Sequence, residues 1–122
     1  MECPFCNINY FVIENTYAYA VCDKYPVTRG HLLIIPRQHI NNYFDISIET
    51  RDALWDLVRV AKEYLQKEYN PDGYNIGINC GESAGQTIPH VHIHLIPRYK
   101  GDIENPRGGV RGVIPKKRVY PL

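Results

Sequence analysis

Several features that define whole classes of protein are missing from this sequence. No apolar run approaches the roughly 20 residues that a membrane-spanning helix needs, and neither internal repeats nor low-complexity segments occur. The first residues contain neither the basic segment nor the apolar segment of a secretory signal, so we expect a cytoplasmic protein. The net charge of +1 argues against binding to nucleic acid or to a membrane surface through charge alone.

What is present is typical of one soluble domain. The chain has 122 residues, of which 44% are apolar and 22% charged, and this composition excludes a disordered, collagen-like or coiled-coil protein. The charge is unevenly placed, because seven Lys or Arg between positions 98 and 118 stand against two acidic residues. This stretch is either a solvated basic tail or a tail that faces an anionic ligand.

The pattern of apolar residues predicts an α+β fold with an antiparallel five-stranded sheet and one long helix. The helix has Ser47 as its N-cap, ends near Tyr69, and carries an apolar stripe at spacings of three and four: Leu54, Leu57, Val58, Ala61 and Leu65. Short apolar or alternating runs bounded by turn residues predict strands at 11–14, 17–22, 31–36, 74–80 and 90–96. We expect the residues after position 97 to form an extended, irregular tail.

The segment 90–96, His-Val-His-Ile-His-Leu-Ile, alternates histidine with apolar residues. Successive side chains of a strand point to opposite faces, so the apolar side chains belong to the core and His90, His92 and His94 share the other face. One metal ion cannot bind all three, because the outer two lie about 13 Å apart along a strand while Zn–N bonds are about 2.0–2.1 Å.

Two chemistries remain for this row of imidazoles. Two neighbours could share a metal, but neither a His-Glu-x-x-His motif nor an acidic residue within the row supplies the base of a zinc hydrolase. Alternatively, a neutral imidazole attacks phosphorus at pH 7, and the flanking rings donate hydrogen bonds to phosphoryl oxygens or to the leaving group.

This segment resembles the signature of the histidine triad (HIT) family of nucleotide hydrolases and transferases. Gly85-Gln86-Thr87 before it and Pro97-Arg98 after it resemble the branch that hydrolyses diadenosine polyphosphates, and the segment 26–36 resembles the family's first-half strand. The resemblance covers residues 3 to 100. It implies a HIT domain at 1–100, a basic tail at 101–122 that belongs to the same domain or dimer, and a two-fold dimer with a continuous sheet.

The resemblance also assigns roles to individual residues. It makes His92 the nucleophile that forms a nucleotidyl-histidine, and it places His94 at the α-phosphate or the bridging oxygen. His31 supports the phosphate site from the neighbouring strand, and Gln86 belongs with these catalytic residues. The residues that contact the substrate are His94, Asp23 at the ribose, and Asn79, Gln86 and Thr87 at the phosphate groups.

Cys3 and Cys6 form a Cys-x-x-Cys pair, which alone is compatible with half a zinc site, a redox pair or two buried thiols. Some bacterial and archaeal HIT proteins and the related galactose-1-phosphate uridylyltransferases have a similar pattern. That likeness implies His39 and His90 as the other two ligands of a structural zinc ion, with an iron occupant or an empty site as the alternatives and no organic cofactor. We expect Cys22 and Cys80 to be buried thiols.

These observations lead to one functional hypothesis. The chain is expected to be a homodimeric hydrolase that cleaves a nucleoside phosphoanhydride, of the diadenosine polyphosphate type, at the α-phosphate. A dinucleotide phosphorylase or a nucleoside phosphoramidase would use the same histidine, and a nucleotide-binding module with little turnover or a zinc-dependent hydrolase are more distant alternatives. We expect adenosine nucleotides as substrates, no nucleic-acid or membrane partner, and contact of Arg107 or Arg111 with the polyphosphate, in one version across the dimer interface.

Overall fold

A computed structural model describes residues 3–121 of the chain. One helix, α1 (Ile48–Tyr69), packs on one face of an antiparallel sheet whose strands lie in the order β1-β2-β3-β5-β4. The strands are β1 (Ile13–Glu14), β2 (Ala18–Cys22), β3 (Leu32–Pro36), β4 (Gly73–Gly77) and β5 (Ile93–Arg98). This confirms the predicted α+β architecture. Within the described part of the chain, no helix combines the length and the apolar character needed to cross a membrane.

The helix has the ends that its sequence predicts. The Ser47 side chain accepts a hydrogen bond from the backbone N–H of Thr50, which satisfies one of the free donors in the first turn. At the other end Asn70 adopts the left-handed conformation, with φ of 49°, and the chain turns away. The predicted apolar stripe is buried against the sheet, together with Thr50.

The alternation around the histidines separates core from site as predicted. Val91, Ile93 and Leu95 are at most 2% exposed and pack with the helix in the main core.

Gly30 lets the chain that leads into β3 pass close to this core. Its φ is +91°, and a Cβ there would lie 3.0 to 3.1 Å from the Tyr69 and Leu65 side chains, so glycine lets the chain reach His31 directly under the end of the helix.

All five predicted strands are shorter than expected. The strand predicted at 90–96 begins at Ile93 and continues to Arg98, because the backbone before it bonds elsewhere: the N–H of Val91 donates to the carbonyl of Ile40, 2.8 Å away. Its neighbour, predicted at 74–80, ends at Gly77, which pairs with His94. Three other strands begin slightly later than predicted, at Ile13, Ala18 and Leu32.

The tail is folded rather than extended, so that part of the prediction is wrong. It contains two short 3-10 turns, Gly109–Val113 and Pro115–Lys117. The guanidinium of Arg118 holds them in place by donating to the carbonyls of Asn105 and Arg107, at 2.5 and 2.7 Å. Backbone carbonyls satisfied by an arginine are a tertiary feature that no local sequence pattern reveals.

Candidate active site

His92 is held by a backbone carbonyl just before β5. Its Nδ1 lies 2.9 Å from the carbonyl oxygen of His90, and its side chain is nearly buried beside the ring of Phe5. A carbonyl oxygen can only accept, so Nδ1 carries the proton and donates it. This hydrogen bond selects the tautomer with its lone pair on Nε2, which is the form that a nucleophile needs.

A second chain of hydrogen bonds fixes the neighbouring ring. The backbone N–H of Val27 donates to Nδ1 of His31, 3.0 Å away, so the proton of His31 is on Nε2. That nitrogen lies 3.0 Å from Nδ1 of His94 and donates to it. The remaining ring nitrogen of His94, Nε2, is thus an N–H donor. The fold presents one imidazole with a lone pair and, beside it, one imidazole with a proton to offer.

Burial keeps the rings of His94 and His31 neutral at pH 7 by lowering their pKa. It is the largest cause that lowers the pKa of His94 to about 4; the nearby rings of His92 and His31 lower it further, and Asp23 acts in the opposite direction. Burial also lowers the pKa of His31, again against the effect of Asp23. The relay of hydrogen bonds requires neutral rings, and these pKa directions agree with it.

Asp23 lies next to both rings at the end of β2. One carboxylate oxygen is 3.4 Å from Nε2 of His31 and 3.9 Å from Nδ1 of His94, and the other accepts a hydrogen bond from the N–H of Tyr25. Two imidazoles and a carboxylate at such distances could hold a metal ion. The hydrogen bond from Val27 opposes it, because it leaves the proton on the His31 nitrogen that would have to bind the metal.

A cavity of about 750 Å³ opens on His92 and His94. Its apolar wall comes from the N-terminal segment and the sheet and includes Phe5, Val21 and Leu33. Three of the predicted substrate-binding residues, Asp23, Asn79 and Thr87, also line it. An apolar wall with a few convergent polar groups is the usual character of a small-molecule site.

The structure does not bring Gln86 to this cavity. Its side-chain oxygen accepts from the N–H of Gly81, and its amide nitrogen donates to Asn41 and to the carbonyl of Ile88. Gln86 thus braces the loop before the triad and lies in a neighbouring depression with Asn41. Arg107 and Arg111 are also placed elsewhere, with their guanidinium groups over the ring of Tyr120 at 5.5 and 4.6 Å.

Sequence analysis missed several residues at the cavity. Lys24 and Tyr25, in the turn after β2, line it. Their position directly after the predicted ribose-binding Asp23, at the end of a strand, was the signal that could have found them. Cys22 also lines the cavity, and the expectation of a buried thiol is wrong there because its strand end opens to solvent; Cys80 is half-buried.

The four predicted metal ligands come together next to this cavity. Sγ of Cys3 lies 3.3 Å from Nδ1 of His90, and Sγ of Cys6 lies 3.2 Å from Nδ1 of His39 and 3.6 Å from that of His90. All four ligand atoms lie within 4.8 Å of one another. Sulfur and nitrogen ligands of a tetrahedral zinc ion are about 3.6 Å apart, so the spacing fits that metal.

The orientation of His90 also suits a metal. Its Nε2 donates to the carbonyl oxygen of Pro36, 2.8 Å away, which leaves a lone pair on Nδ1, the nitrogen that faces the two sulfurs. His90 is fully buried, so this geometry is held by the core of the protein.

The comparisons with known proteins agree with this geometry. The family model described as "HIT domain" matches residues 7–101. The chain belongs to the HIT family. An uncharacterized HIT-like protein of Saccharolobus solfataricus is 38% identical over 106 residues, which are 82% of this chain and 76% of that protein. The bis(5'-adenosyl)-triphosphatase of Dictyostelium discoideum is 36% identical over 72% of this chain, which spans 59% of that enzyme's length.

Solved structures of HIT proteins have the same fold. A HIT family protein from Bacillus anthracis has a TM-score of 0.76 and 31% identity, with 98% of this chain and 79% of that chain covered. A Zn-bound histidine triad family protein from Mycobacterium smegmatis has a TM-score of 0.71 and 33% identity, with 77% and 68% covered. The diadenosine triphosphate hydrolase of Plasmodium falciparum, solved with Cyclomarin A, has a TM-score of 0.71 and 32% identity, with 76% and 63% covered.

Proposed function

We propose that this HIT protein is a nucleotide hydrolase that cleaves dinucleoside polyphosphates, of the diadenosine type, at the α-phosphate through a covalent nucleotidyl-His92 intermediate. The observation that carries the proposal is the pair of fixed imidazoles in one cavity: His92 with a free lone pair on Nε2 and His94 with a proton on Nε2. Relatives named as diadenosine triphosphate hydrolases support the hydrolase class and the adenosine substrate.

The first step forms the intermediate. Nε2 of His92 attacks the α-phosphorus, and the bond between that phosphorus and the bridging oxygen breaks, with its electron pair leaving on the oxygen. The N–H of His94 donates to the phosphoryl or bridging oxygen, where negative charge grows in the transition state. For diadenosine triphosphate the leaving group is ADP, and AMP stays on His92.

The second step releases the nucleotide. A water molecule attacks the phosphorus, the N–P bond breaks with its electron pair returning to Nε2, and the proton of the water leaves to solvent. The sum is diadenosine triphosphate plus water giving ADP plus AMP. One carboxylate oxygen of Asp23 accepts a hydrogen bond from the backbone of Tyr25, and the other accepts hydrogen bonds from the ribose hydroxyls. Asn79 and Thr87 contact the phosphate groups.

The experiment is a substrate panel read by mass spectrometry. Diadenosine tri- and tetraphosphate and adenosine phosphoramidate are each incubated with the protein in ¹⁸O-labelled water, with and without inorganic phosphate. We expect ¹⁸O in AMP from the dinucleotides. Transfer of the AMP group from His92 to phosphate, seen as ADP in place of AMP only when phosphate is present, would instead identify a phosphorylase. Exclusive use of the phosphoramidate would identify a phosphoramidase, and the absence of any product would leave a nucleotide-binding module.

We further propose that Cys3, Cys6, His39 and His90 hold a structural zinc ion. The donor spacing and the free lone pair on Nδ1 of His90 support it, as does the Zn-bound relative. A closed site with four protein ligands joins the N-terminal segment to the sheet and supplies no open position for substrate. Elemental analysis of the purified protein tests this, with one zinc per chain expected and none in Cys6→Ser.

We also propose a homodimer that extends the sheet through β4 (Gly73–Gly77). This strand lies at one edge of the sheet, opposite the two-residue edge strand β1, so one row of its backbone donors and acceptors faces away from β5. Sedimentation velocity is expected to give twice the mass of the chain. A monomer at micromolar concentration would contradict this proposal without affecting the proposed chemistry.

A further inference from the structure

A second cavity, of about 510 Å³, borders the one that contains His92. The two share Asp23, Tyr25, Asn79 and His94, and among the described residues His92 lines the first cavity and not the second. His94, whose free nitrogen is the proton donor, therefore stands at the junction of two compartments. The proposed reaction has two products, and each compartment has the size of a small-molecule site.

The second cavity has an apolar wall whose residues come from distant parts of the chain. They include Val27 from the β2–β3 loop, Ile76 from β4, Ile96 from β5, and Val110 and Val113 from the tail. Several of these side chains are open to solvent; Val110 and Val113 are 62% and 77% exposed. Exposed apolar side chains that surround a polar group mark a binding surface more often than an ordinary protein surface.

Contacts within the tail hold it beside the second cavity. Gly108 has a φ of +89°, and a Cβ there would lie 1.9 Å from the carbonyl oxygen of Arg118. Only glycine therefore lets the chain at position 108 pass so close to the backbone of Arg118. Arg111 stacks on Tyr120 and donates to the carbonyl of Lys117. These contacts fix the 3-10 turn that carries Val110 and Val113 beside β4.

The two cavities differ in charge, and this difference indicates which part of the substrate each one binds. The described residues that line the second cavity include no Lys or Arg, whereas Lys24 lines the first. A phosphate chain favours the compartment with the cation. Val27, Val110 and Val113 line only the second cavity and favour a flat, apolar group, and a nucleobase is such a group.

We propose that the second cavity binds the nucleoside of the leaving group, so that the tail recognises the distal half of a dinucleoside polyphosphate. The inference rests on the proposed function for its chemistry: attacking and leaving atoms lie roughly in line at phosphorus, so the leaving half departs on the side away from His92. His94 lines both cavities and His92 only the first, so the second cavity is the compartment on the far side of His94. The tail then selects dinucleotides over mononucleotides, a role distinct from bond cleavage.

Binding to the full-length chain tests this without turnover. In a His92→Asn background, calorimetry measures the Kd of diadenosine triphosphate and the Kd of AMP, which needs the first cavity alone. Val113→Glu places a charge in the apolar wall at a solvent-accessible position. We expect it to raise the Kd of the dinucleotide about tenfold relative to that of AMP, and Val110→Glu to do the same.

The matched control is Val119→Glu, which adds the same charge at a half-exposed tail residue outside the cavity and is expected to change neither Kd. An unchanged ratio of the two Kd values in both cavity variants would overturn the inference. If the sedimentation coefficient of these variants changed as well, this face would be an interface between copies of the chain. Hydrolysis by the unmodified protein is measured separately, so a failure of the proposed function alone leaves the Kd ratio to decide the inference.

Discussion

Acid is expected to destabilise the folded protein through His94, and the structure gives the size of the effect. Its imidazole is 24% exposed and faces His31, His92 and Asp23, and burial first of all lowers its pKa from 6.5 to about 4. Below pH 6.5 the unfolded chain therefore binds a proton that the folded chain does not. The stability that neutral His94 contributes is complete above pH 6.5 and is lost as the pH falls toward 4.

The magnitude follows from the two pKa values. Between pH 8 and pH 5 the His94 site removes about 2 kcal/mol from the free energy of unfolding. The assay is urea unfolding of the wild-type chain and of His94→Asn at both pH values, because the difference between the two proteins cancels every other titrating group to first order. The wild type is expected to lose about 2 kcal/mol more than the variant.

Equal losses in the two proteins would refute this reasoning. They would mean that His94 titrates in the folded chain as it does in the unfolded chain, and burial could not then be the cause that lowers its pKa. A larger loss in the variant would have the same consequence.

Three further predictions concern stability and metal. Gly108→Ala is expected to release the tail, because its Cβ would overlap the carbonyl of Arg118, and limited proteolysis should then cut after position 100 while the rest of the domain stays intact. Ile93→Ala removes a fully buried side chain from the main core and should lower the free energy of unfolding by about 2–5 kcal/mol in urea titrations. Removal of the proposed zinc ion by a chelator should lower the melting temperature, and His39→Asn, at an exposed member of the proposed ligand set, should reproduce that shift without added chelator.

The parts of the fold that depend on neighbouring residues were predictable. Ser47 and Asn70 mark the two ends of the helix by capping chemistry that acts within four residues, and the apolar stripe between them reveals the buried face. The alternation of histidine with apolar residues likewise separates the core side from the site side, since it needs only an extended backbone.

Features that depend on distant contacts were not predictable. The strand begins at Ile93 because the N–H of Val91 donates to Ile40, 51 positions earlier in the sequence. Gln86 braces a loop because Asn41 lies opposite it, and the tail folds because Arg118 reaches carbonyls more than ten positions away. None of these pairings leaves a periodic or local pattern in the sequence.

The residues of the candidate site could largely be predicted from the sequence. The family resemblance pointed to the three histidines, to Asp23 and to the cluster of two cysteines and two histidines. The structure places Asp23 with His92 and His94 on one cavity and brings the four ligand atoms of the cluster within 4.8 Å of one another. The tautomers were not predictable. They depend on the carbonyl of His90 and the N–H of Val27, two backbone groups whose positions only the tertiary structure sets.

The central claim is that Nε2 of His92 forms a bond to the α-phosphorus, and trapping that bond tests it most directly. The protein is mixed with diadenosine triphosphate, quenched within milliseconds in alkaline denaturant, digested and mapped by mass spectrometry. The account predicts one AMP group on the peptide that contains His92, and none in the His92→Asn variant, which should also have lost hydrolysis. An AMP group on another residue, or hydrolysis by His92→Asn at the wild-type rate, would contradict it.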